Sequence, residues 1–141
     1  MGHQCMLGGS RQDRISIIRD FTESASKPVK FVYPSGVNRH YGWVQDWGQF
    51  KGEHYTDCYS EQEVYDGKKE LESDGADGRI VVLHEINEIE LRNFEELLAQ
   101  ARAKNIEVII TLDSLDDVDT QTRNAIENNC SGIHRDSPLN S

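Results

Sequence analysis

The chain is expected to form one three-layer α/β domain, a mainly parallel sheet with helices on both faces. Three observations lead there. Residues 80–83 are a continuous apolar run without polar alternation, the pattern of a strand buried on both faces of a parallel sheet, and 107–112 reads as another buried strand. Stretches of helical period alternate with such runs, and short turns join them, which requires right-handed crossovers. A length of 141 residues suits a single core, taken here as residues 1–135 with a loose tail at 136–141.

The elements follow in order. His3 to Gly8 is a short apolar run stopped by Gly8-Gly9-Ser10, a buried strand ending in a glycine turn. Ile15, Ile17, Ile18 and Phe21 then recur at helical spacing, predicting a helix over 14–25 that Ser26 to Pro28 ends. Val29 to Tyr33 predicts a second strand, closed by Pro34-Ser35-Gly36. Residues 37–59, which hold Trp43 and Trp47, read as irregular structure or a short hairpin. Ser60 and Glu63 fit a capping box opening a polar helix over 61–73, weakened by Gly67. After a turn at 74–78 comes the central strand 79–83, then a long amphipathic helix over 88–104 with Asn105 at its end. A strand at 107–112, a short helix at 119–128 and a last strand at 130–134 complete the series.

Composition narrows the function classes. Acidic residues number 25 against 15 basic, a formal charge of -10, which disfavours nucleic-acid binding by this chain alone and suits a protein partner or homo-oligomer. No apolar run is long enough to span a bilayer and no signal core opens the chain, so the expectation is a soluble cytoplasmic protein. Cys5, Cys58 and Cys130 form no C-x-x-C pair and read as buried free thiols. The five histidines have no H-x3-H or H-E-x-x-H spacing, so no metal site is expected. Trp43 and Trp47 read first as cover for a sheet edge, with a partner-binding patch as the alternative.

Ligands of open parallel sheets sit at the carboxyl ends of the strands, here Gly8-Gly9-Ser10, Pro34-Ser35-Gly36, His84-Glu85 and Asp113-Ser114. The segment Gly9 to Ser16 fits the frame of a phosphate-binding loop, Gly-x4-Gly-Lys-[Ser/Thr], at its first and last positions only. Arg14 and Ile15 occupy the glycine and lysine slots. Alone this match carries nothing, since a glycine turn into a helix is common in any α/β protein. Val81-Val82-Leu83-His84-Glu85 resembles a Walker B strand in which the first acid has become histidine, a poor partner for magnesium. Glu85 stands where a catalytic base would be. Its plain reading is a carboxylate at a helix start.

The stretch from Arg79 to Ile133 resembles the corresponding part of the FtsK–HerA family of DNA-pumping P-loop ATPases. The resemblance rests on a series: the apolar strand ending at His84-Glu85, then Leu97-Leu98-Ala99-Gln100-Ala101-Arg102, then Asn105 and the strand Ile106 to Thr111, then Asp113 where the family has a sensor glutamine, and Thr122-Arg123-Asn124 in the next helix. Phe31 to Gly36 resembles the family's second strand, often ended by Asp-Pro-Lys-Gly. Departures fall on Arg14, Ile15, His84 and Asp113, the nucleotide-contacting positions.

The resemblance therefore implies a P-loop NTPase-like domain with a damaged site: a catalytically impaired relative acting as a protein-binding regulator or assembly component of a DNA transfer or packaging system. No cofactor is expected on that reading. The alternative is a divergent but active ATPase using ATP and magnesium. It would have Glu85 as base, Gly9, Arg11, Arg14, Ser16 and Asp113 about the nucleotide, and Arg123 as an arginine finger toward a neighbouring subunit. An α/β domain unrelated to ATPases is the third reading.

Overall fold

The computed structural model describes residues 3–24, 27–34, 55–59, 63–72 and 78–135. The apolar runs become strands β1 (His3–Leu7), β2 (Val29–Pro34), β3 (Tyr55–Tyr59), β5 (Ile80–Leu83), β7 (Glu107–Leu112) and β8 (Cys130–Arg135), and these form one sheet in the order β3-β2-β5-β7-β1-β8. Every pairing in it is parallel. The three-layer α/β expectation holds, with more strand in it than the sequence suggested: residues 55–59, read as irregular or hairpin, add a parallel edge strand beside β2.

Alternation along the strands divides the core. On one face Ile15 and Ile18 of α1 (Arg11–Ser24) cover Val29, Phe31, Ile80, Val82 and Ile109. On the other, α3 (Phe94–Ala103) and α4 (Thr120–Asn129) bring Leu97, Leu98, Ala101, Ala125 and Ile126 onto Cys5, Leu7, Val81, Leu83, Val108 and Ile110.

Several boundaries move, each for a local reason. Helix α1 starts at Arg11, not at residue 14, because Ser10 and Asp13 cap it reciprocally: Ser10 N–H donates to Asp13 Oδ2 and Asp13 N–H to Ser10 Oγ, both at 3.1 Å. Of the helix expected over 61–73, the described residues 63–72 are helical at α2 (Lys68–Glu72) alone. Ahead of it, β4 (Val64–Tyr65) pairs with β6 (Glu90–Leu91), and Gly67 takes a left-handed φ of 77°. A β-carbon on Gly67 would lie 2.3 Å from Leu97 Cδ1, so this glycine lets α2 approach α3.

The helix expected over 88–104 is likewise three pieces: a 3-10 turn (Ile86–Glu88), β6, and α3. Buried Ile86 and Ile89 continue the three-residue spacing of Phe94 and Leu97 and imitate a helix, while Asn93, at φ 56°, breaks it. The C-terminus of α3 agrees with expectation. Asn105 is left-handed, Ile106 N–H donates to Ala101 O and Asn105 N–H to Arg102 O, a Schellman motif. Helix α4 is displaced by one residue, with Asp119 as its cap at 2.7 Å from Thr122 N; that bond holds the Asp119 carboxyl below its usual range. Trp43, Trp47 and the tail at 136–141 lie outside the described residues.

His3 staples three elements. Its buried ring donates from Nε2 to Leu98 O at 2.6 Å and accepts Val108 N–H at Nδ1 at 3.0 Å, joining β1 to α3 and β7. The bond accepted at Nδ1 needs the neutral ring, and burial, the largest cause, pulls its pKa below the ordinary 6.5. The unfolded chain therefore binds the proton more readily. The stabilisation is complete above 6.5 and is lost as pH falls from there through the lowered folded value. Melting temperature is expected to drop as pH is lowered from 7 to 5, less so in His3→Gln. Parallel pH curves for the two proteins would contradict this.

Candidate functional site

Three adjacent strands, β1, β7 and β5, end side by side on the α1 face, and their ends supply one connected group. At the end of β1, Gly8 and Gly9 both take left-handed φ, 83° and 68°, which turns the chain into α1 within three residues. Gly8 N–H donates to Asp113 O at 2.9 Å, tying β1 to β7. The carbonyls of both glycines point inward.

They meet Arg14. Its Nη1 donates to Gly8 O at 2.9 Å and to Gly9 O at 2.8 Å, while Nη2 donates to Glu85 Oε1 at 2.8 Å and Nε lies 3.1 and 3.2 Å from the two carboxylate oxygens. Asp113 Oδ1 is 3.6 Å from Nη1. Arg14 is 5% exposed and Glu85 1%, so this is a buried, multiply hydrogen-bonded ion pair; the Asp113 side chain, at 63%, stands in solvent.

Glu85 is held from the other side as well. It sits in the left-handed region at φ 55° and ψ 56°, uncommon for a residue with a β-carbon, at the entry to the 3-10 turn. Its N–H donates to Thr111 Oγ1 at 3.1 Å, and that hydroxyl lies 2.6 Å from His84 Nδ1. The other ring nitrogen of His84, Nε2, lies 3.9 Å from Glu85 Oε1. His84 and Thr111 are fully buried, and the His84 ring is 5.6 Å from that of Phe31.

The arrangement sets what chemistry is open to it. A phosphate cradle presents backbone N–H groups and a free helix N-terminus. Here the glycine carbonyls face the site, and the first turn of α1 is already occupied by the Asp13 carboxylate, which its bonds to Ser10 hold below the usual carboxylate range. Glu85 cannot act as a base toward water while both its oxygens are engaged by Arg14 and it is out of solvent contact. A triphosphate with magnesium does not fit these groups as they stand. The neighbouring cavity, ≈ 280 Å³, is lined by Met6, Gly9, Asp13, Arg14, Ser16 and Ile17.

Of the residues singled out in the sequence, Gly9, Arg14, Glu85 and Asp113 come together here, and Ser16 reaches the cavity wall from the exposed side of α1. The side chain of Arg11 lies outside the described residues. Arg123 sits apart on α4, half exposed, bonded to Glu127 at 2.9 Å and Asp116 at 3.2 Å; the Glu127 carboxylate, foremost, raises its pKa. Thr111 and His3 were missed. Thr111 carried one readable signal, a hydroxyl in an otherwise apolar buried strand, where it needs a polar partner. Cys5 and Cys130 are free thiols, and burial pushes Cys130 up to about 12, which leaves it inert.

A wider hollow of ≈ 520 Å³ lies between the starts of α3 and α4, rimmed by Glu95, Glu96 and Asp119; as first-turn and capping residues these carboxylates serve the helix N-termini. Among the described residues no group of three or more His, Cys, Asp or Glu could hold a metal ion, and no helix is long and apolar enough to cross a membrane. No protein-family model matches the chain, and no curated protein matches it.

Proposed function

We propose that this chain is a catalytically impaired P-loop ATPase-like protein, related to the DNA-pumping ATPases it resembles, that works by binding a protein partner or further copies of itself in a DNA transfer or packaging assembly. The observation that carries this reading is the Arg14–Glu85 pair. The resemblance puts a glycine at position 14 and a water-polarising acid at position 85. In the chain the first has become a guanidinium that neutralises the second from within. The glycine turn, Asp113 and His84-Glu85 also fall on neighbouring strand ends, as a retained scaffold with an altered site requires. The charge of -10 supports a protein partner over DNA.

Calorimetric titration with ATP and magnesium is the test. No heat of binding is expected up to about 1 mM nucleotide, a concentration at the upper end of ordinary enzyme KM values. Sub-millimolar binding abolished by Ser16→Ala would sink the proposal in favour of the divergent ATPase. Wild-type turnover that is lost in a Glu85→Gln variant shown to be folded would establish that second reading.

A further inference from the structure

We infer that the groove between the starts of α3 and α4 is a docking site for a basic segment of a partner protein, one in which arginine or lysine flanks apolar side chains. This rests on the protein-partner part of the proposed function and gives that partner its chemistry.

Two hollows make the groove. The one of ≈ 520 Å³ and a smaller one of ≈ 140 Å³ adjoin across Leu91, Asp119 and Thr122, which line both. The larger lies within the range of about 300–1,000 Å³ usual for ligand pockets. The floor is apolar: Phe94 belongs to the core, Leu91 and Val118 are half-buried, and Ala99 is exposed. Val64, a large apolar side chain left exposed, stands in register with Glu90 in the β4–β6 pair, at the edge of the groove.

The rim is acidic. Glu90, Glu95, Glu96, Asp117 and Asp119 all line the groove and all are exposed, while among the described residues no lysine or arginine lines it. Arg123, on α4, is turned to Asp116 and Glu127 instead. Part of the acidic charge answers the helix ends. The N-termini of α3 and α4 carry about half a positive charge each, against five carboxylates, so the groove keeps an excess of about four negative charges. A second copy of the chain, at a formal -10, is repelled by such a rim. A cationic segment is drawn to it, and an apolar side chain between the cations reaches the floor. Exposed ion pairs are weak in water, so the floor does the holding and the rim selects what is held.

The test is NMR of the isotope-labelled chain titrated with capped peptides: Arg-Arg-Leu-Leu-Arg-Arg, its counterpart with serine for leucine, and its counterpart with glutamate for arginine. The first is expected to shift the amides of Leu91, Ala99 and Gln121 saturably. It should weaken as salt rises from about 0.1 M to about 1 M, where the screening length falls from about 10 to about 3 Å. The serine peptide is expected to bind at least about fivefold more weakly, and the glutamate peptide not at all. Glu95→Gln with Glu96→Gln is expected to weaken the first peptide about fivefold. Ala99→Trp, which fills the hollow from an exposed position, is expected to abolish the saturable shifts. Asp20→Asn with Glu72→Gln, the same charge change at exposed positions of α1 and α2, should leave binding within about twofold. No shift, shifts scattered over the surface, or a serine peptide that binds as well overturns the inference. So does binding undiminished by Ala99→Trp, or groove and control variants that weaken alike. The ATP titration reads the Arg14 site, so either test can fail without deciding the other.

Discussion

Arg14→Met is expected to lower folding stability by about 3–5 kcal/mol, and Glu85→Met by a similar amount. Each change leaves the partner's charge buried without compensation, since the wild-type pair has almost no contact with water. The double variant Arg14→Met with Glu85→Met should recover most of the loss, because replacing both ions by apolar chains of similar volume removes the uncompensated charge. It should remain about 1–2 kcal/mol below wild type, because the carbonyls of Gly8 and Gly9 lose the donors that Arg14 supplied. Urea denaturation of the four proteins gives the coupling directly. A single Arg14→Met variant within about 1 kcal/mol of wild type would mean that the pair is not closed to solvent, and with it the closed-site argument would fall.

Phe31→Ala is expected to cost about 3–5 kcal/mol, at the upper end of what truncating a buried aromatic removes. Among the described residues the α1 face of the sheet has the smaller cluster of buried side chains, and Phe31 is the aromatic ring fully buried in it. Its ring centroid lies 5.3 Å from that of Tyr33 and 5.6 Å from that of His84. The truncation therefore also removes the wall that holds the His84 ring against Thr111. Denaturant unfolding measures the first effect. The imidazole signals of His84, followed by NMR in the folded variant, measure the second. A loss below about 1.5 kcal/mol with unmoved His84 signals would show that α1 collapses onto the space and that Phe31 positions nothing.

Much of the sheet was legible because strands buried on both faces read as largely apolar runs, uninterrupted in β5 and broken in β7 by Thr111. What misled was periodicity shared between different structures. Ile86 and Ile89 keep the spacing of a helix while lying in a 3-10 turn and beside a short strand, and only the left-handed residues Glu85 and Asn93 mark the break. Neither is a glycine, so neither announces itself. The site was legible by place and not by partnership. Strand-end reasoning brought out Gly9, Arg14, Glu85 and Asp113 separately, but Arg14 and Glu85 are 71 positions apart and no local pattern pairs them. Their adjacency follows from β7 alone intervening between β1 and β5, a fact of topology.

The placement of β1 also governs how the molecule can assemble. The first strand lies between the last two: Gln4 is in register with Ile109 on one side, and Cys5 with Ile133 on the other. On a ribosome β1 emerges first and must wait for almost the whole domain before either neighbour exists. Closing such distant pairings carries a large loop-entropy cost before any contact repays it, so refolding should be slow for a chain of this length. A nascent chain stopped ahead of β7 would hold an apolar strand with no sheet to enter, a species prone to aggregation and a natural client for chaperones.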